Sequence, residues 1–391
     1  MANIERALAH IEKIVGVYPI DGADNIERIQ VLGWTCIAKK GEFKVGDLAV
    51  YIEIDSKCPD NDERFSFLAK KGYKVKTMKL GKFNVISQGL ALPITMFPEL
   101  AQKNIGDDVT YELHITYSNL EDVKRKKKYD PNAKYNAMAA RHHKLFRKQP
   151  FKWLMKRNWG RVFLFTIFGR KKDNVKKFPD WIVKTDEVRC ENIPHVLKDN
   201  EKAYVVTEKI DGTSTTVAID FTKKKKGDFI VCSRNVRQAD EKQECYHNCG
   251  NVYWEMVDKY DLEKVIRDIA KEFNAKRVVL QGETYGDGIQ GNPYKIKDRR
   301  FSAFNLIIDG ERLSSIKAAK NLKRYNVHFV PIVDEYYKIP VGTDMEAFKL
   351  SADGFSEINP KVKREGYVYR TLDGKESFKN VSREFLLKHN E

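Results

Sequence analysis

Lys209 stands at the end of an apolar β run, flanked by Glu208 and Asp211, one residue before the turn Asp211-Gly212-Thr213. A lysine so placed is either half of a surface ion pair or an amine whose charge can be suppressed for nucleophilic attack. Further groups follow in order: Ser233-Arg234-Asn235 after a second strand, Gly282-Glu283 at the end of a third, and Phe304 within Phe301-Ser302-Ala303-Phe304-Asn305. Glu365 then opens Glu365-Gly366-Tyr367-Val368-Tyr369-Arg370, and Lys379 closes the series in Ser377-Phe378-Lys379. Together they offer an amine, phosphate-binding cations, carboxylates suited to hard divalent ions and an aromatic face for stacking. Singly, Phe304 reads as a core residue and Arg234 as a surface arginine. The information lies in the order of the set.

The surrounding pattern places these groups on strands and turns. Apolar runs predict strands at 202–206, 215–219, 229–232, 277–280, 300–308 and 366–370, with helices over 253–273 and 316–325. That is an α+β domain, expected to span 178–391. Residues 7–113 differ, with short alternating runs at 26–38, 47–54, 74–80 and 83–94 broken by Asp21-Gly22, Lys40-Gly41 and Val45-Gly46. They predict a small β-barrel over 1–116, of five-stranded OB type by strand order, although an SH3-like barrel fits the spacing too.

Between the two lies a basic connector, 117–177. Residues 121–180 hold nineteen Lys or Arg against five Asp or Glu, so most of the net charge of +16 sits there. Phe146, Phe151, Trp153 and Trp159 interleave with the charge, and helix formers run from 134 to 168. The segment is either a surface that binds a phosphate backbone or a solvated charged linker.

A chain of 391 residues suits two domains. No stretch approaches the roughly 20 apolar residues a membrane helix needs, and the amino terminus lacks a secretory pattern. The expectation is an intracellular protein, cytoplasmic unless nuclear or organellar. The six scattered cysteines read as reduced thiols. Cys245, His247 and Cys249 could supply three zinc ligands, but no fourth follows at finger spacing, and a surface loop is the simpler reading.

In this order, over residues 180–388, the motifs resemble the nucleotidyltransferase motifs shared by DNA ligases, RNA ligases and mRNA capping enzymes. The details look most like RNA-repair ligases: Glu208-Lys209-Ile210-Asp211-Gly212-Thr213, Ser233-Arg234-Asn235, the Gly-rich run from Gly282 through Glu283 to Tyr294, Phe378-Lys379, and the lead-in at 178–192. DNA ligases and capping enzymes usually carry an OB domain after the last motif, whereas here twelve residues follow Lys379 and the barrel comes first, as in one branch of RNA ligases.

The resemblance implies an N-terminal OB barrel, the connector, and a C-terminal mixed α/β nucleotidyltransferase (ATP-grasp-like ligase) domain. It implies an ATP-dependent RNA ligase that seals 3′-OH and 5′-phosphate ends, using Mg2+ or Mn2+. Lys209, Lys379 and Asp211 would be catalytic; Glu208, Lys209, Arg234, Glu283, Phe304, Glu365 and Lys379 would bind the nucleotide; Glu283 and Glu365 would hold metal. Phe304 would stack on adenine, Arg234 would meet ribose or a 5′-phosphate, and Lys379 would neutralise the α-phosphate. The partner would be RNA, a nicked duplex, bound by a monomer with no membrane involved. A DNA ligase, a GTP-using capping enzyme and a non-catalytic nucleic-acid-binding protein are the alternatives.

An unperturbed lysine, near 10.4, is only about one part in a thousand neutral at physiological pH. Attack on the α-phosphorus of ATP therefore requires that the charge be disfavoured by about 4 kcal/mol, through partial burial, other cations and metal ions.

Overall fold

The computed structural model describes residues 7–117, 135, 145, 148–168, 176–238 and 251–389. The lysine runs at 124–128 and 170–172 and the Cys245, His247 and Cys249 cluster lie outside them.

The N-terminal unit is an OB-type barrel built on Ala9–Pro19, a strand the apolar pattern did not predict. Its first half pairs with Leu48–Ile52 and its second with Ile26–Val31, and the register slips between Ile14 and Gly16. Such a slip bends the strand, so one strand serves two neighbours and the sheet can curl. Trp34–Lys39 and Leu90–Pro93 complete the five-stranded order. Gly22, Gly41 and Gly46 all take positive φ, as the predicted turns require. The run expected over 26–38 is two strands, turned at Leu32 and Gly33.

The C-terminal unit holds two sheets. The larger has seven strands, with Asp228–Cys232, Thr213–Asp220, Arg277–Gly286 and Arg299–Ile308 as consecutive neighbours at its centre. Helices Val252–Lys259, Leu262–Glu272 and Ser315–Lys323 cover one face. In Leu262–Glu272 the buried residues are Leu262, Val265, Ile266, Ile269 and Ala270, a spacing of three and four that puts them on one side. The single helix expected over 253–273 is in fact two, broken where Asp261 enters the left-handed region. The smaller sheet has five strands in the order Val188–Arg189, Ser377–Val381, Gly366–Thr371, Ala203–Lys209 and Ile332–Lys338. Rings of Tyr204, Tyr369, Phe378 and Phe348 pack beneath it, with Tyr369 and Phe378 stacked at 5.0 Å.

Barrel and smaller sheet share a core, since Val381 and Leu386 pack among Ile14, Trp34 and Tyr51. Trp34 Nε1 donates to Asn192 Oδ1, the Gly33 amide to the Glu191 carbonyl at 2.9 Å, and Arg189 pairs with Asp55 at 3.0 Å. A Cβ on Gly33 would come within 2.8 Å of Glu191 Cα, so the barrel's turn must be glycine to sit this close. Of the connector, helices Phe151–Met155 and Asn158–Phe168 are described. No described helix is long and apolar enough to cross a membrane.

His10, on Ala9–Pro19, is buried between Glu12 at 2.9 Å and Glu53 at 3.4 Å. Burial disfavours its charge, but hydrogen bonds and attraction from both carboxylates outweigh that and raise it from 6.5 to about 9. The imidazolium therefore contributes fully below about 6.5 and its contribution disappears as pH rises through about 9, a loss of up to about 3 kcal/mol. His10→Gln should lower the urea midpoint at pH 6 and flatten its fall between pH 6.5 and 9.

Candidate active site

The strand Ala203–Lys209 belongs to the smaller sheet and Thr213–Asp220 to the larger, so Ile210, Asp211 and Gly212 alone carry the chain across. Ile210 is buried with Tyr285, Tyr294, Val330 and Val362. The Asp211 amide donates to Tyr294 Oη at 2.7 Å. At Gly212 a Cβ would lie 2.4 Å from the Thr284 carbonyl oxygen and 3.1 Å from Glu283 Cγ. Glycine is needed here for close approach: its backbone rests against the strand that carries Glu283.

This crossing puts Lys209 in the mouth of a cleft of about 780 Å³ between the sheets. Strand alternation explains which residues join it. Lys209 pairs with Gly366, Thr207 with Val368, and Val368 with Lys379, so Thr207, Lys209, Val368 and Lys379 lie on the same face of the smaller sheet. All four line the cleft, together with Glu365, Arg370 and Val381. From the larger sheet and its loops come Ser233, Arg234, Asn235, Glu283 and Phe304.

The electrostatics centre on Lys209 and its carboxylates. Lys209 Nζ donates to Glu365 Oε1. Burial pulls the lysine's pKa down, but Glu365, by charge and hydrogen bond, then Glu283 and Asp211, carry the net shift upward. The amine is thus held protonated. Burial pushes the Glu283 carboxyl well above the ordinary range, Glu365 and Asp211 adding to that while Lys209 opposes it.

Arg234 Nη2 donates to both carboxylate oxygens of Asp186 at 2.6 and 2.7 Å, with the guanidinium 5.3 Å from the Tyr117 ring. Phe304 is half-buried on the opposite wall, and Arg370 Nη1 donates to its carbonyl at 3.0 Å. Arg370, 3% exposed, also pairs with Glu187 at 2.9 Å. Glu208 borders the cleft, but its carboxylate is engaged elsewhere, accepting from Ser356 Oγ at 2.5 Å and the Glu357 amide at 2.7 Å. It alternates away from Lys209 and anchors the loop leading to Glu365.

Sequence reasoning named Glu208, Lys209, Asp211, Arg234, Glu283, Phe304, Glu365 and Lys379, and all eight border one cleft, Glu208 with its carboxylate turned to Ser356 and Glu357. It missed Asp186, Glu187, Arg370 and Tyr294 as supports; the only signal for the first two was their place in the Lys-Thr-Asp-Glu lead-in.

A divalent cation fits the carboxylates present. Glu365 is buried, yet its Oε2 has no hydrogen-bond partner among the described residues. Glu283 shares its electrostatic environment. Oxygen donors of this kind suit Mg2+ or Mn2+, which take one or two carboxylates and complete their shells with water and phosphate oxygens. No cluster of three or more metal-ligating side chains occurs among the described residues.

A model of the RNA ligase family matches residues 202–388, and one of an OB-fold domain matches residues 8–94. Among solved structures the chain is similar to Naegleria gruberi RNA ligase, at 31% identity: a lysine-to-methionine mutant with AMP and Mn has a TM-score of 0.75, covering 98% of this chain and 99% of that one. The same ligase with PPi has a TM-score of 0.74 over 99% of each chain. An arginine-to-alanine mutant with ATP and Mn also gives 0.74, over 98% of this chain and 99% of that one. A search of curated proteins finds no match.

Gly212→Ala should force the two sheets apart at the crossing. The expected outcome is a loss of about 2 kcal/mol in stability and of the rise in melting temperature that ATP with Mn2+ gives the wild type, read by thermal scanning.

Proposed function

The chain belongs to the RNA ligase family, and from that premise we propose that it seals 3′-OH and 5′-phosphate RNA ends through a covalent AMP on Lys209. It is an ATP-dependent RNA ligase that works with Mg2+ or Mn2+. The observation that carries the proposal is the convergence of Lys209, Glu365 and Lys379 from one sheet with Glu283, Arg234 and Phe304 from the other.

In the first step Lys209 Nζ attacks the α-phosphorus of ATP; an N–P bond forms as the P–O bond to pyrophosphate breaks. Phe304 offers its ring to adenine, and Lys379 neutralises charge on the α-phosphate as it shifts to the leaving group. Glu365 must leave Lys209 for this to happen, because its charge and hydrogen bond hold the proton on Nζ. Once it is withdrawn, burial favours the neutral amine. Glu365 and Glu283 would hold a divalent cation, which would shield the phosphate oxygens from one another.

A 5′-phosphate oxygen of RNA then attacks the same phosphorus and breaks the N–P bond, giving an adenylylated end. The 3′-OH attacks that end and AMP leaves. Arg234, which lines the cleft with its Nη2 on both Asp186 oxygens and its guanidinium near the Tyr117 ring, would receive the 5′-phosphate. Asp211, two residues from Lys209 in the same cleft, would act near the phosphate or the 3′-OH. The substrate that best uses these groups is a nicked duplex, which holds both ends in line, bound by a monomer.

On nicked RNA with ATP, Lys209→Ala should fail to seal, a drop of at least about 1000-fold, yet still join a strand supplied already adenylylated. Glu365→Gln should impair both reactions. Equal loss of both in Lys209→Ala, with the fold intact, would remove Lys209 from the nucleophile's role.

A further inference from the structure

The connector holds a feature that the chemistry at Lys209 leaves unused. Phe151–Met155 and Asn158–Phe168 form a helical hairpin with a small core of its own, in which Leu164 packs against Phe151, Leu154 and Met155. Gly160 lets the two helices meet, since a Cβ there would lie 2.3 Å from the Leu154 carbonyl oxygen. With that core satisfied, the outer face remains apolar. Trp159, Val162, Phe163 and Ile167 are 51–57% exposed. They recur every three or four residues and so form one continuous stripe along the longer helix.

The stripe is bordered by charge of a single sign. Residues 148–168 contain five Lys or Arg and no Asp or Glu. Arg157 lies over the exposed Trp153 ring at 4.5 Å, and Trp153 meets Trp159 edge-on at 6.0 Å. A phosphate-binding role explains the cations and could use the two tryptophans, but not Val162 and Ile167, whose aliphatic side chains have no face on which a base can stack. A lipid surface explains all of them. Aliphatic and aromatic side chains enter the acyl boundary, tryptophan lies at headgroup level, and lysine and arginine attract anionic headgroups. At eleven residues the helix is too short to span a bilayer and suited to lie in its plane. The sequence reading expected no membrane involvement, on the lack of a spanning segment; lying on a membrane requires only this stripe.

We infer that the hairpin 151–168 is a peripheral anchor that docks the ligase on anionic membranes through Trp159, Val162, Phe163 and Ile167. RNA and a second copy of the chain are the competing occupants.

Full-length protein is sedimented with vesicles of mixed phosphatidylserine and phosphatidylcholine, and with phosphatidylcholine alone. Tryptophan fluorescence is followed in vesicles carrying brominated acyl chains, which needs no variant. The expected result is sedimentation with the anionic vesicles, weakened by salt, with quenching by brominated chains. The variant Trp159→Ser/Phe163→Ser/Ile167→Ser should cut vesicle binding at least about ten-fold, leaving RNA binding and adenylylation unchanged. Failure of the wild type to bind anionic vesicles would overturn the inference. So would a variant that instead loses RNA binding, assigning the face to nucleic acid, or one that abolishes a wild-type dimer, assigning it to a second copy.

Discussion

Three residues, Ile210, Asp211 and Gly212, carry the chain from one sheet to the other, and the rest of the cleft depends on how little slack they leave. Ile210 is pinned in a buried cluster, the Asp211 amide is tied to Tyr294, and Gly212 touches the Thr284 backbone. Lys209 immediately precedes this crossing, so its amine is delivered between the sheets in a fixed direction. Beyond the link, Thr213 to Asp220 pair with Arg277 to Thr284 residue for residue, which sets Glu283 across from Ser214. Lys209 and Glu283 are thus positioned by backbone pairing more than by side-chain packing.

The same compactness creates an electrostatic cost. Glu283 and Glu365 are crowded in low dielectric beside Lys209, one pushed well above its ordinary range and the other with a buried oxygen that has no partner among the described residues. Crowding of this kind is what perturbs titration in a cleft. Surrounding ion pairs are arranged to hold it open: Arg370 with Glu187, Arg234 with Asp186, and Arg189 with Asp55 brace the cleft walls and the barrel. The barrel is therefore more than an appendage, since its core includes Val381, two residues beyond Lys379 on the same strand.

Much of this was legible in sequence because strands and turns leave local signals. The runs around 215–219, 229–232 and 300–308 fell inside observed strands, and the order of polar motifs pointed to a set of residues that does share one cleft. Ala9–Pro19 was not legible, since buried His10 and Glu12 break the apolar alternation that marks a strand. Nor was the break at Asp261, where both flanking segments carry helical spacing and only the backbone at one residue departs. Glu208 shares a motif with Lys209, yet its side chain alternates to the far face. Supports such as Glu187 with Arg370, 183 positions apart, have no local pattern at all. They exist only once the sheets are assembled.

Lys209 Nζ is the atom proposed to take up AMP. Incubating the protein with α-labelled ATP and Mn2+, then digesting it and locating the label by peptide mass spectrometry, reads that atom directly. The expected result is one acid-labile adduct on Lys209, absent from Lys209→Ala. Label on another lysine, or none from a folded and nucleotide-binding protein, would contradict it.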